Sequence, residues 1–255
     1  MTPEYDEGEQ RYNSCHSWDL GFVHFVCLNS NQDYSMFDSV AGETVDTWIQ
    51  RECVWLDNDL TKDEANPNTR WTICYMHLSP FTVVRQDWLQ RFIPVFEKHR
   101  VHLVLCGHNH TYSRSKPIYC GYNGEPNNTK YDPKGQMTAE QETALGCGTI
   151  NHNPDPNNGT TYLMCQATGY KNKGKETIQN PTPWWYGWIG SHPSQPSYIT
   201  LDIAWDKITI NTWLINGILS KDRNGNTIVA DYGTQEITLF DEHVINWRTK
   251  GQTKI

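Results

Sequence analysis

Three histidines stand where apolar runs end. His77 follows WTICYM in the string Met76-His77-Leu78-Ser79-Pro80, and His108 and His110 follow VHLVLC in Gly107-His108-Asn109-His110. Neutral imidazole is a good ligand for Zn, Fe and Mn. Side chains at i and i+2 on an extended segment point to the same side, so His108 and His110 are placed to converge on one site. Gly107 is expected to permit a sharp turn where a side chain would crowd a metal. A histidine within a strand is more often a packed residue than a ligand, and His24 and His102 read that way. His16, His99, His152, His192 and His243 have no ligand-type pattern around them. Three imidazoles plus water also make a legitimate mononuclear zinc site, but that chemistry needs a general base, and the sequence nominates none.

The elements that position these histidines alternate between strand and helix. Phe22–Asn29 (FVHFVCLN) reads as a buried strand. Val45, Trp48, Ile49, Cys53, Leu56 and Leu60 recur at helical spacing. Trp71–Met76 is a second strand. Trp88, Leu89, Phe92, Ile93 and Phe96 mark a second helix, with Pro94 expected to kink it. Val101–Cys106 is a third strand. Near-continuous apolar strands joined by helices imply an α/β fold with strands covered on both faces. In such sheets ligands bind beyond the carboxyl ends of the strands, where the three histidines fall. Residues 121–160 are rich in Gly, Asn, Pro and Thr and read as a long loop, after which Tyr162–Ala167 resumes as a strand. Tyr198–Trp205 and Lys207–Ile215 alternate as a hairpin, Asn224-Gly225 is a turn, and strands follow near Thr227–Ala230 and Glu236–Phe240. The organisation is one partial domain: an α/β part over about 18–120, a loop-rich insertion over about 121–197, and closing β-strands over about 198–245.

Composition narrows the function. The 255 residues carry 21 Lys and Arg against 29 Asp and Glu, a net charge of -8. Nucleic acids and anionic membranes select clustered basic residues, so neither is an expected partner. No apolar run approaches the roughly 18 residues of a spanning helix. The opening MTPEYDEGEQRYNS has neither the basic start nor the apolar stretch of a signal peptide. None of the eight cysteines forms a C-x-x-C pair, which argues against a structural zinc site. Cys27, Cys74, Cys106 and Cys165 fall in apolar runs and read as small buried hydrophobes. Cys120 and Cys147 bracket the polar insertion, which they either close as a disulfide or leave open. Asn127-Asn128-Thr129 and Asn158-Gly159-Thr160 are sequon-type triplets. Pro183-Trp184-Trp185-Tyr186-Gly187-Trp188 either packs against the sheet or stacks a sugar or nucleobase.

The string VHLVLCGHNHTYSRSKPIY, a buried strand with Gly-His-x-His and then x-Tyr-x-Arg-Ser, resembles the last metal motif of the purple acid phosphatases, a branch of the calcineurin-like metallophosphoesterases. Further strings resemble that family in its own order: FVHFVCLNS, WLDNDL, YMHLSPF and RFIPVFEKHRVHLVLCGH. The likeness spans about residues 18–120, and the tail fits more loosely. It implies a layered β-sandwich flanked by helices and a dinuclear site of Fe, Zn or Mn. There a metal-bound hydroxide attacks the phosphorus of a small-molecule phosphate ester. By motif, His77 and His108 would bind one metal and His110 the other. The resemblance also implies a secreted or cell-envelope location.

The family pattern has an earlier half, with Asp-x-His, Gly-Asp and Gly-Asn-His motifs, and no counterpart precedes Phe22. The chain is therefore expected to be a fragment, inactive without carboxylates to balance two metals. The competing expectation is a non-catalytic binding protein, or pseudoenzyme, on a phosphatase scaffold. Asp241-Glu242-His243 spells Asp-x-His, but in the closing strands rather than the first.

Overall fold

Residues 15–30, 44–80, 91–108, 112–115, 117, 159–164, 186–188, 196–215 and 236–247 are described by the structure, a computed structural model. Two short strands open it, β1 (His16–Leu20) and β2 (Val23–Cys27), paired antiparallel. They are joined at Gly21, whose φ of 60° is the left-handed conformation that glycine adopts without strain. β1 has no counterpart in the sequence reading. Four of its five residues are exposed, so it lacks an apolar pattern.

Helix α1 (Val45–Ala65) starts at a capping box. The Thr47 amide donates to the Thr44 hydroxyl at 3.2 Å, and the Thr44 amide donates to the Thr47 hydroxyl at 2.9 Å. Its Trp48, Ile49, Cys53, Leu56 and Leu60 are all buried, which is the face the spacing defines. Each large side chain among them is worth about 1.5–3 kcal/mol of burial. β3 (Trp71–Tyr75) follows, then α2 (Phe92–Lys98) and β4 (Leu103–Cys106). Pro94 is the third residue of α2, inside the first turn, where the missing amide hydrogen leaves no helical bond unmade. Trp88 and Leu89 lie outside the described residues.

β5 (Ser113–Ser115), β6 (Thr161–Met164) and β7 (Tyr186–Trp188) complete a seven-stranded sheet of order β1-β2-β3-β4-β6-β5-β7. β2, β3, β4 and β6 run parallel, and β1, β5 and β7 are antiparallel to their neighbours. A three-stranded antiparallel sheet, β8 (Ser197–Ile203), β9 (Lys207–Ile215) and β10 (Ile237–Asn246), is ordered β10-β9-β8. The β8–β9 hairpin is the one the alternation indicates. β10 runs well beyond the expected Phe240 and carries an irregularity between Leu239 and Asp241. Asn224-Gly225 and Thr227–Ala230 fall outside the described residues, as do Cys120, Cys147, Cys165 and both sequons apart from Gly159 and Thr160.

Two cores define the layers. On one face of the large sheet, Val26, Cys74, Met76, Val104 and Cys106 meet the apolar faces of α1 and α2. On the other, Val23, Trp71, Ile73, Leu103 and Leu163 meet Ile208, Ile210 and Ile245 of the small sheet. Helices, mixed sheet and antiparallel sheet therefore stack as an α/β layered sandwich. Strands β3 and β4 are covered on both sides, as their continuous apolar runs require. Among the described residues, no helix is long and apolar enough to cross a membrane.

Candidate functional site

The carboxyl ends of β3 and β4 lie side by side. Their parallel register runs from Ile73 opposite Leu103 to Tyr75 opposite Leu105. The ladder continues past both strands: the Met76 amide donates to the Leu105 carbonyl at 3.0 Å, and the Gly107 amide to the His77 carbonyl at 2.9 Å. The backbone thereby fixes His77 beside Gly107. The Leu78 amide donates to the hydroxyl of buried Ser30 at 2.7 Å, tying this turn to the segment after β2.

His108 then turns across to His77. Its φ of 71° is left-handed, a conformation that costs a side-chain-bearing residue roughly 1–2 kcal/mol. Residues held in such strain gather at functional sites. The expectation for Gly107 is corrected here: the left-handed residue is His108, and Gly107 is not in that region. What Gly107 provides is closeness, since a Cβ there would stand 3.4 Å from Nδ1 of His77. His108 Nδ1 and His77 Nε2 are 3.2 Å apart, with ring centroids 5.2 Å apart and planes at 88°. Both side chains are exposed at the sheet edge.

Two imidazole nitrogens at that distance either share one proton or aim both lone pairs at one cation. For metal–nitrogen bonds of about 2.1 Å, a separation of 3.2 Å subtends roughly 100° at the metal. That lies between the right angle of octahedral geometry and the tetrahedral angle, so the pair fits as two ligands of one ion. His110 lies outside the described residues. Among the described residues, no group of three His, Cys, Asp or Glu side chains is arranged to hold a metal.

Downstream of His108 the chain is tied to the small sheet. The buried Tyr112 hydroxyl donates to Asp241 Oδ2 at 2.6 Å, and Arg114 Nε donates to the same oxygen at 3.0 Å. Tyr112 also packs edge-on against Phe240, with centroids 5.7 Å apart. Burial and the bond to Asp241 push the Tyr112 phenol well above its usual range. Asp241 of the Asp-Glu-His string is thus an anchor for Tyr112 and Arg114. Its neighbour His243 has a buried Nε2 with no hydrogen-bond partner among the described residues, and burial followed by the Arg114 charge push its pKa down to about 4.

Among the described residues, His24, His99 and His102 are buried and paired away from this site. His102 is fully buried, accepts the Thr72 amide at Nδ1 (3.2 Å) and lies edge-on to Trp71. His24 and His99 are each bracketed by acidic side chains, a feature the sequence reading missed. Their partners on α1 lie 35 or more residues away, and the nearer Asp19 meets His24 only because β1 folds back on β2, so no local pattern announces them. Cys74 and Cys106 are buried, as their apolar runs indicate, whereas Cys27 is half-buried; Cys53 is buried too, its pKa pushed up to about 12 by burial.

Sequence comparison finds limited kinship. No family model matches the chain. An uncharacterised Mycobacterium tuberculosis protein, Rv2577 in strain H37Rv, is 25% identical over 125 residues, 45% of this chain and 20% of that protein. Purple acid phosphatase 23 of Arabidopsis thaliana is 29% identical over 123 residues, 44% of this chain and 23% of its own length. The matches therefore span only about a fifth to a quarter of these curated relatives. Among solved structures, the yellow lupin purple acid phosphatase PPD1 aligns over 92% of this chain and 32% of its own, at 14% identity and a TM-score of 0.45. GAP50, titled the anchor in the inner membrane complex of Plasmodium, aligns over 94% of this chain and 56% of its own, at 10% identity and a TM-score of 0.43. The chain has a distant similarity to purple acid phosphatases, which points to a phosphoesterase-like scaffold.

Proposed function

We propose that this chain carries part of the dinuclear metal site of a phosphoric ester hydrolase acting on small-molecule phosphate esters. His77 and His108 would hold one ion and His110 the second, the metals being Fe, Zn or Mn. The observation that carries the reading is the convergence of His77 Nε2 and His108 Nδ1, 3.2 Å apart, at the carboxyl edge of two parallel strands. When bound, such a metal pair supplies positive charge that offsets the phosphoryl oxygens and lowers the pKa of a water. The chain's own residues do the positioning. The Gly107–His77 backbone bond sets the two turns at one spacing, and Ser30 holds Leu78 behind them. The Asp241 anchor holds the segment that leaves the histidines.

Three neutral imidazoles do not balance the charge of two such ions, so the reading calls for carboxylate ligands from outside these motifs. In the purple acid phosphatase pattern they come from Asp-x-His and Gly-Asp motifs ahead of the FVHFVCLN strand. The test is hydrolysis of an activated aryl phosphate with Mn, Zn or Fe. It is run on the chain alone and on the chain supplied with that upstream half, in one polypeptide or in trans. Hydrolysis that appears with the upstream half and disappears in His108→Ala is expected. No hydrolysis with any of these metals over a broad pH range would favour the reading as a non-catalytic binding protein on the same scaffold.

A further inference from the structure

We propose that His24 is a proton-dependent clasp that fastens helix α1 to the β1–β2 hairpin, and that this contact holds more tightly in mild acid than in base. The geometry demands two donors. Nδ1 of His24 lies 2.6 Å from Asp19 Oδ1 on β1, and Nε2 lies 3.0 Å from Asp59 Oδ2 on α1. A neutral imidazole has one N–H and one lone pair. Facing a carboxylate oxygen, that lone pair is repelled. Only the doubly protonated ring donates to both sides.

The surroundings reinforce this. Asp63 of α1 stands 4.0 Å from Nδ1 and is nearly fully buried. The neutral groups nearby donate to the carboxylates and leave them free to accept from the ring. Ser17 donates to Asp59, Asn66 to Asp19, and Thr72 of β3 to Asp63. The charged groups that face His24 from β1 and α1 are Asp19, Asp59 and Asp63, all acidic. Burial by itself would lower the histidine pKa, but the bonds to Asp59 and Asp19 outweigh it and the net shift is upward.

A second histidine repeats the arrangement beside α2. His99 Nδ1 meets Glu64 and its Nε2 meets Asp57, both on α1, and Lys98 also bonds Asp57. Burial opposes charge on Asp57, but the bonds from Lys98 and His99 prevail and hold its carboxyl below the usual range. The last turns of α1 thus carry two acidic pairs on different sides, Asp59 and Asp63 gripped by His24 of β2, and Asp57 and Glu64 gripped by His99 at the end of α2. Neither histidine touches His77 or His108 through any of these bonds, so the clasp is independent of the metal reading.

The direction follows from the raised folded pKa. The contribution of His24 is fully present below the unfolded value of about 6.5. It is lost as pH rises through the higher folded value. The test compares the full chain with His24→Gln. Melting temperature is recorded at pH 5.5 and pH 8, together with hydrogen exchange of α1 amides and the ring-nitrogen NMR signals of His24. His24→Gln is expected to lower the melting temperature at pH 5.5 relative to that at pH 8 by roughly 3 °C compared with wild type. Wild-type His24 should keep both ring protons to a higher pH than a histidine of the unfolded chain, with α1 amides better protected at pH 5.5 after correction for intrinsic rates. Other titrating groups, His243 included, are common to both proteins and cancel in the comparison. Should His24→Gln not fold, Asp19→Asn keeps the ring and removes one acceptor, and it should lower the NMR midpoint of His24. A His24 midpoint at or below the unfolded value of about 6.5, an unchanged midpoint in Asp19→Asn, or an identical pH dependence in His24→Gln would each overturn the proposal.

Discussion

Replacing Asp241 with alanine would release the segment that follows the candidate metal histidines. Asp241 accepts the Tyr112 hydroxyl at 2.6 Å and Arg114 Nε at 3.0 Å, with a longer contact from the other guanidinium nitrogen at 3.5 Å. The Arg114 and Asp241 side chains are only 11% and 12% exposed, so water substitutes poorly for the lost carboxylate. Orphaning a buried hydroxyl costs about 1–3 kcal/mol. Breaking a buried ion pair costs about 3–5 kcal/mol. The two losses share one carboxylate, and the guanidinium keeps some solvent, so the sum is discounted to about 3 kcal/mol. For a chain of this size that corresponds to a fall in melting temperature of roughly 6–12 °C. Asp241→Asn keeps the shape and one acceptor oxygen and should lose about half as much. Thermal melts by circular dichroism, with near-ultraviolet signal to follow Tyr112, are the assay. A melting temperature for Asp241→Ala within 2 °C of wild type would show that the anchor does not hold the segment.

Two further perturbations have opposite signs. His108→Gly removes a left-handed strain of roughly 1 kcal/mol, so the metal-free protein should be no less stable than wild type in urea melts even as metal binding is lost. His243 titrates at about 4 in the folded chain and near 6.5 unfolded. The unfolded chain therefore takes up a proton first as pH falls, and stability on the order of 2–3 kcal/mol is lost between about pH 6.5 and pH 4. His243→Leu should flatten that loss in urea melts at pH 7 and pH 4.5, and an unchanged slope would count against the buried, neutral histidine.

The elements that carry the site were legible because their cores dictate their patterns. α1 buries the residues at its helical spacing, and β3 and β4 read as continuous apolar runs because helices cover one face and the small sheet the other. β1 escaped notice because an edge strand open to solvent needs no apolar pattern. The place of Pro94 in the first turn of α2 was not legible, because the spacing of Trp88 and Leu89 suggests an earlier start. The pairing of His77 with His108 followed from both standing at adjacent strand ends. The left-handed backbone of His108 did not, because a Gly-His string favours glycine for that conformation, yet the structure assigns it to the histidine. The histidine–carboxylate bridges were invisible for a different reason. The bridges to α1 join residues 35 or more positions apart, and the bridge from His24 to Asp19 crosses the β1–β2 turn, all in sequence neighbourhoods that are ordinary strand and helix.

The central claim, that His77 and His108 are ligands of one metal ion, is tested most directly by metal affinity. Zn(II) binding is measured calorimetrically for the wild-type chain, His77→Ala, His108→Ala and His102→Ala, with melting temperature recorded alongside. His102 ends its packing against Trp71 and its bond to Thr72 in that variant, so its stability falls, but its ring is remote from the pair and zinc affinity should stay near wild type. His77→Ala and His108→Ala should each weaken zinc binding at least about tenfold, since each removes one of only a few ligands. Full zinc affinity in His108→Ala together with its loss in His102→Ala would contradict the account and place the site elsewhere.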